Sequence, residues 1–573
     1  MKYTAKRALC WLIAFAMTAA LMAFVIGCTD ITYAENDDAT IMRAFMGYES
    51  GEPATFHIMI HGLLAIPLGM LSAAFPDLPW FTYAQLAMLA LSCLIIAKSI
   101  MQLFAKHKKP LWLGAVFAAM FLTVLCMKHI TELTFTITAA ALAAAAVLQM
   151  FSIDHDRGSW RVIIGMLGAL LLVLLSFALR YEGVLAVLAF CGLAFVMIVL
   201  DQYGLGKKAK RSLRPMVISL LIIAIALGGM VAFREWEIQA NDAQAYLDWH
   251  DARSMVMDFH NIYNVPQEAI DMVGWDEATR NAVRKWFFLD ADVTTEAFQT
   301  LDRYMVEHDT RTFTDRFASV GTQLSEMWRD FPMDMRCLGL IALSVLLCLL
   351  FAILRKKGRV VLSLAIVLAM CAAMTVYLGY VQRLPLRAFM MIMLPLSAFA
   401  FAFLPEVLPE KLPANALCLV LCAAWSVFCL VGVVPSLLPS EEEELVLGSA
   451  MADLEEYALM EPDSLILYDI TLSGSDMRAL PDYSEGVPHN LTFWGGWGMR
   501  SAESVKLFES FDIDVFNCDP ETFLRDDVFL ATGAIDPPPT LMLDWISAKT
   551  GKDVDWEIWS EWGNIYILHF YEY

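Results

Sequence analysis

The sequence predicts a mainly α protein: a polytopic membrane helix bundle of about eleven transmembrane helices, followed by a C-terminal extracytoplasmic α/β domain. Three observations predict it. The 573-residue chain is 58% hydrophobic, with a mean hydropathy of +0.56, which excludes a soluble globular enzyme, a disordered chain and a free nucleic-acid binder. Apolar stretches long enough for a bilayer core, roughly 20 residues each, recur eleven times. The net charge of −22 is also concentrated: residues 441–573 hold 28 Asp and Glu against six Lys and Arg, whereas residues 1–440 balance at 34 of each. An acidic, water-facing segment (440–573) is therefore attached to a membrane body (1–435).

The apolar stretches fall near 8–27, 81–104, 111–127, 133–153, 162–178, 183–200, 216–233, 336–354, 360–380, 388–405 and 415–435. If the N-terminus is cytoplasmic, the inner turns carry 18 basic residues and the short outer segments five: Arg43, Lys128, Arg180, Arg383 and Arg387. Basic residues favour the cytoplasmic side, so the N-terminus is expected inside and, after eleven crossings, the C-terminus outside. The further apolar stretch Phe56–Phe75 would invert every later loop if it crossed, so it is expected as a helix lying in the outer interface, with His57 and His61 on one face. Val25-Ile26-Gly27-Cys28 resembles a lipoprotein signal, which would make Cys28 a lipidation site, but the preceding apolar run is longer than a signal core. The other cysteines fall mostly within spans and show no metal-binding spacing.

Three regions of real length face outward: 28–80, 234–334 and the tail. The second holds nine basic and twenty acidic side chains, and Glu277–Phe288 and Thr294–Val306 read as amphipathic helices. In the tail, Ser464–Asp469, Asn490–Phe493, Asp527–Thr532 and Asn564–Tyr571 read as strands, with Ser501–Phe511 and Leu541–Lys549 as helices. Several motifs fail on position. Gly204-Leu205-Gly206-Lys207 lacks phosphate-loop spacing and reads as a basic inner turn. Asp154-His155-Asp156, Asp290-Ala291-Asp292 and Asp512-Ile513-Asp514 read as solvated acids, and Asn490-Leu491-Thr492 has the form of a glycosylation sequon. Phe493-Trp494-Gly495-Gly496-Trp497-Gly498 suits a sugar-stacking loop, and equally a tight turn with both indoles in a small core.

The proposed spans contain almost no charge, unlike those of proteins with a midplane ion pathway. Ionisable residues instead collect at the outer helix ends. The first loop offers Asp30, Glu35, Asp37, Asp38 and Arg43; later turns offer Lys128, His129 and Glu132, then Arg180 and Glu182, then Arg383 and Arg387. Sugar transfer from a lipid phosphate needs such a rim: a general base for the acceptor hydroxyl, and positive charge or a metal for the departing phosphate.

The order of a cytoplasmic start, a first span, an outer loop with Glu35-Asn36-Asp37-Asp38, an interfacial helix and a basic inner turn resembles the GT-C class of integral membrane glycosyltransferases, over about residues 1–435. The resemblance implies a GT-C-like bundle and a polyprenyl-phosphate-linked sugar as donor. The acceptor would be an extracytoplasmic cell-envelope glycan, lipid or protein, and the setting a bacterial cytoplasmic membrane whose lipids surround the bundle. Nucleic acid is not an expected partner. Carried over by position, Asp38 or Asp37 is the loop carboxylate that takes the acceptor proton or holds a metal. The cofactor question stays open: none is required, a divalent metal is one option, and its ligands are unknown. Arg180, Arg383, Arg387 and Lys128 would contact the donor phosphate, with His57, Glu132 and Glu182 in support. The His-Pro-Pro sequence of some members is absent around Gly51, Pro53 and His57, and the tail lacks the Trp-Trp-Asp signature of oligosaccharyltransferases.

Each candidate also has a plainer reading. Asp37 and Asp38 open a helical stretch, where acids complement the helix dipole. Arg180 with Glu182 reads equally as an interface-anchored ion pair, and Arg383 with Arg387 as headgroup anchors. Lys128, His129 and Glu132 read as a satisfied turn. The alternative function is a non-catalytic envelope protein, or a translocator of lipid-linked glycans, that binds phosphate head groups at the same rim.

Overall fold

In a computed structural model, residues 3–48, 51–155, 158–203, 213–409, 412–438, 449–473, 477–481, 483–484, 486–534 and 538–573 are described. The Gly204–Lys207 turn, Asp156 and the acidic run Glu441–Glu444 lie outside them.

Among the described residues, eleven helices are long and apolar enough to cross a membrane: Ala5–Cys28, Trp80–Lys106, Leu111–Thr131, Phe135–Ser152, Ser159–Leu179, Tyr181–Gln202, Arg214–Ala240, Pro332–Leu354, Gly358–Tyr380, Leu386–Val407 and Ala416–Leu437. The chain is a multi-pass membrane protein, and all eleven expected stretches are present. The fourth and tenth spans form the centre and are the most enclosed. The fourth is built for this position. Its alanine run, Ala139 to Ala146 with Leu142 as the one interruption, is buried throughout, and small side chains let neighbouring backbones approach where no hydrophobic effect drives helices together in lipid. The seventh and ninth spans are mostly exposed, which suits apolar helices that face lipid.

The stretch 56–75 corrects the expectation of one interfacial helix. Its helix is Gly62–Ala74 only, and His61 is the N-cap, its Nδ1 accepting the Leu63 N–H at 3.1 Å. His57 precedes the helix in irregular chain. The two histidines therefore share no helical face, because the imidazole of His61 itself starts the helix.

The loop after the first span is tied down at two points. Strand β1 (Thr32–Tyr33) pairs in parallel with β2 (Glu132–Leu133) at the end of the third span, and Tyr33 N–H bonds to the carbonyl of Met477 at 2.7 Å. The tail forms a five-stranded sheet from β3 (Leu465–Tyr468), β4 (Leu491–Phe493), β5 (Val528–Thr532), β6 (Val554–Trp562) and β7 (Ile565–Glu572), in the order β4-β3-β5-β7-β6. β4, β3 and β5 run parallel; β7 and β6 close the sheet antiparallel.

One face of the sheet has a core within the tail, where Ile466, Phe529 and Ile567 pack with Leu454 and Tyr457; the other face is shared. Trp249, Phe287, Phe288 and Phe298 of the second large loop share one apolar cluster with Trp494, Phe523 and Trp545 of the tail, and the Phe287 and Trp545 rings meet at 4.8 Å. Asp290 belongs to the same junction. Far from being solvated, it is buried and accepts from Thr279 Oγ1 at 2.6 Å and Trp545 Nε1 at 2.8 Å, with Lys549 at 3.2 Å. Asn490 of the sequon is likewise buried, its amide donating to the carbonyls of Ala458, Glu461 and Ser464. Second loop and tail thus form one packed body over the ends of the bundle.

Candidate active site

The helix Asn36–Met46 sets the site. Asp37 and Asp38 sit in its first turn, where carboxylates complement the helix dipole, and Gly47 ends it in the left-handed conformation, φ +82°. Neighbouring residues on a helix point about 100° apart, so the two acids separate. Asp38 faces the bundle and is fully buried. Its Oδ1 accepts from Gln85 Nε2 at 3.0 Å and from the Phe135 N–H at 2.8 Å, at the start of the fourth span. Its Oδ2 is buried without a partner. Burial raises the Asp38 carboxyl well above the usual range, and the hydrogen bonds from Phe135 and Gln85 oppose that.

Asp37 faces the other way, into a cavity of about 780 Å³ between the first loop, the stretch 241–258 and the tail. Its Oδ1 accepts from Trp497 Nε1 at 3.0 Å and its Oδ2 from Arg387 Nη1 at 3.1 Å. Arg387 also pairs with Glu35 at 2.9 Å. Burial raises the Glu35 carboxyl, and the Arg387 charge opposes that. The Gly-Trp loop that delivers Trp497 is placed by Gly495, whose Cα lies so close to the Trp286 carbonyl that a Cβ would overlap it. The loop's two indoles divide the two readings made of it: Trp494 is in the core, while Trp497 lines the cavity.

His57 meets Trp497 edge-to-face at 5.2 Å. Its Nδ1 accepts the Met59 N–H at 3.1 Å, so Nε2 carries the hydrogen, and Nε2 is buried without a partner. Burial, then the charges of Arg234 and His250, push its pKa down to about 3, which keeps it a neutral donor.

Arg383 lies with Asp258 at 3.4 Å, beneath the Phe259 ring at 4.4 Å. Arg180 pairs with Glu182 at 2.5 Å and covers the ring of Phe135 at 4.7 Å. These two arginines and Arg253 act on His250. Burial pushes that imidazole down to about 3, helped by Arg253, opposed by Asp258, and helped again by Arg383 and Arg180. Arg180 and Arg383 thus share the neighbourhood of His250, whereas of the three arginines Arg387 alone bonds Asp37 and lines its cavity.

Lys128 and Glu132 belong to a second cavity, of about 840 Å³, at the helix ends. Lys128 joins Glu132 and buried Asp334, each at 2.8 Å. Arg387 lines both cavities, so one guanidinium separates the membrane-edge space from the space beneath the tail. Around Asp37 the nearest groups are a guanidinium and an indole, both N–H donors. That set does not fit a divalent ion, and no group of three or more His, Cys, Asp or Glu side chains able to hold one occurs among the described residues. Sequence reasoning missed Tyr246, whose hydroxyl holds the Trp497 carbonyl at 2.7 Å, as well as His250, Arg253, Asp258 and Arg500. No local pattern marks them, because the long-range packing of loop on tail brings them together.

Fold and site together define a multi-pass membrane protein with a charged chamber between its helix ends and an extramembrane body. No family model and no curated protein matches the chain. Among solved structures, the chain is similar to ArnT from Cupriavidus metallidurans bound to undecaprenyl phosphate, at 14% identity and a TM-score of 0.40 over 97% of each chain. The apo state of the same protein aligns at 13% identity and a TM-score of 0.41 over 98% of each chain. Scores of 0.40 and 0.41 are too low to carry chemistry from those proteins to this one.

Proposed function

We propose that this chain is an inverting GT-C-type glycosyltransferase. It would move a sugar from a polyprenyl-phosphate-linked donor to an extracytoplasmic acceptor, a cell-envelope glycan, lipid or protein, in a bacterial cytoplasmic membrane with the N-terminus cytoplasmic. The observation that carries this is the position of Arg387, which holds Asp37 from one cavity while lining the other.

The donor's lipid tail stays in the bilayer and its phosphate reaches the rim cavity. There Arg387 stands in the first turn of the tenth span's helix, Leu386–Val407, so a guanidinium and a helix N-terminus favour the same anion. Arg383 and Arg180 add positive charge nearby. A phosphate competing for Arg387 loosens its hold on Asp37, whose carboxylate then accepts the acceptor's proton. The acceptor oxygen forms its bond to the anomeric carbon as the bond to the phosphate oxygen breaks, and the lipid phosphate leaves with that electron pair. Asp38 is a positioning group: its hydrogen bonds fix the helix Asn36–Met46 against the fourth span.

The test uses the purified full-length chain in lipid, supplied with polyprenyl-phosphate sugars, alongside mass analysis of lipid-linked glycans and envelope polymers from cells lacking the protein. A new glycosidic bond that Asp37→Asn abolishes is expected. Transfer at the wild-type rate by a folded Asp37→Asn protein overturns the role of Asp37. Movement of lipid-linked sugar between leaflets without any product would identify a translocator instead.

A further inference from the structure

The cavity beneath the tail holds an unsatisfied cation. Arg500 follows the Gly-Trp loop and lines the cavity, yet is only 6% exposed. Its Nε and Nη2 are buried without hydrogen-bond partners, and it makes no ion pair among the described residues. What it touches is aromatic: the Trp249 ring at 5.1 Å and the Phe516 ring at 5.5 Å. Ring faces stabilise a cation but do not accept in-plane N–H bonds of guanidinium geometry. Its backbone is also strained, with φ at +72° in a bulky non-glycine residue.

The contrast with its neighbours is sharp. The other Lys and Arg side chains lining the cavity are engaged: Arg387 by Glu35 and Asp37, Lys506 by Glu52 at 3.2 Å, and Arg43 by the Tyr468 hydroxyl at 3.1 Å. Arg500 also sits two residues before the helix Ala502–Ser510, whose first turn lines the same space. That helix is capped by Ser501, and its N-terminus adds partial positive charge. The one carboxylate acting on Arg500 from a distance is Asp514, and burial outweighs it, lowering the guanidinium pKa to about 10. Glu503 in the first turn also lines the cavity, and burial raises its carboxyl.

We propose that Arg500 binds a phosphate or carboxylate carried by the acceptor, so that the acceptor is an acidic saccharide. Trp497, held by Asp37, stands three residues from Arg500, a chain distance of at most about 10 Å. A sugar ring on that indole would place its hydroxyl toward Asp37 and its acidic substituent toward Arg500. Calling the ligand an acceptor rests on the transferase reading; the anion site itself does not.

Isothermal calorimetry on the purified full-length chain, titrated with glucose, glucuronic acid and glucose 6-phosphate, tests the site without donor or transfer. At least one acid is expected to bind about tenfold or more tightly than glucose. Arg500→Met should abolish that preference while leaving glucose binding unchanged, and Arg500→Lys should keep part of it. Thermal unfolding confirms that each variant is folded, and the Lys variant alone suffices if the Met variant is not. Which acid binds distinguishes phosphate from carboxylate. Equal binding of all three ligands, no saturable heat with either acid, or an undiminished preference in the variants overturns the inference. A protein that binds acids but forms no glycosidic bond refutes the transferase reading instead.

Discussion

The two cavities that meet at Arg387 are similar in volume and opposite in electrostatics. In the rim cavity, Lys128 is held between Glu132 and Asp334, and Arg478 is paired with Glu455 at 3.0 Å. In the cavity beneath the tail, buried donors go unanswered: His57 Nε2, and Nε and Nη2 of Arg500; Arg253, close by, leaves Nε and Nη1 unmet as well. A buried donor left unmet costs about 1–3 kcal/mol. Several such donors line or adjoin this chamber, whereas the Lys and Arg side chains lining the rim are paired with carboxylates. The difference teaches that the rim is a frame with one exchangeable member, Arg387, while the inner chamber is where a polar ligand would bring the largest new gain.

The largest effect should come from breaking the link between the chambers. Asp37→Asn removes the proton acceptor and half of the Arg387 contact, and should lower transfer by about 10²–10⁴-fold with little change in the unfolding temperature. Steady-state kinetics on the purified chain measures it. Asp38→Asn is the control. Asp38 lies outside the chamber and an amide oxygen reproduces its acceptor for Gln85 and Phe135, so activity should stay within about tenfold. If the two variants behave alike, the division of labour between these adjacent acids is wrong.

That division is also where sequence reading reaches its limit. Eleven spans were legible because an apolar run of about 20 residues matches the thickness of a bilayer core and little else, and the rim acids and arginines stood out against neutral spans. Which of two consecutive aspartates faces the chamber depends on the rotational phase of one short helix, which packing against Gln85 and Phe135 decides. β6 went unread because acids at Asp555, Glu557 and Glu561 alternate along it and the tail's general acidity hides that pattern; its pairing with β7 is what makes it a strand. His57 looked helical because its neighbours are apolar, yet the helix begins only where His61 can cap it. The chamber's far wall, with Arg500 and Tyr246, exists only because Phe287 and Trp545, some 250 residues apart in sequence, pack together.

Arg387→Met should rank next. It leaves Glu35 and Asp37 facing each other without a cation, and should raise the donor KM more than it lowers kcat, since the lost contact is to the donor phosphate in ground and transition states alike. Arg387→Lys should recover only part of this, because a point charge cannot hold two carboxylates in the geometry of a guanidinium. A kcat loss with unchanged KM would move Arg387 from donor binding to the chemical step.

In the rim, Lys128→Met should act on stability instead. It strands Asp334, whose side chain is 3% exposed, and breaking such a pair costs about 3 kcal/mol. Denaturant or thermal unfolding in a defined detergent reads this directly. Donor KM should change far less than in Arg387→Met; an equal change would show that Lys128 touches the donor and that the rim is not a fixed frame.

The smallest effect separates the two sides of the helix Asn36–Met46 by pH. His57 and His250 have folded pKa values near 3, well below the 6.5 of an ordinary imidazole. As pH falls through 6.5 the unfolded chain binds protons that the folded chain refuses, so stability drops with acidification down to about pH 3, by up to about 1.4 kcal/mol per pH unit for each histidine. Asp38 works in the opposite sense. Its folded pKa is raised, so the stability it lends is full below about pH 3.9 and is lost as pH rises toward the folded value. Unfolding temperatures across pH 4–8 should therefore lose part of their acid-side slope in His57→Gln and part of their alkaline-side slope in Asp38→Asn. Were the two substitutions to flatten the same limb of the profile, at least one of these shifts would have the opposite sign. The unanswered His57 donor or the buried Asp38 acid would then have to be reassigned as a charged partner.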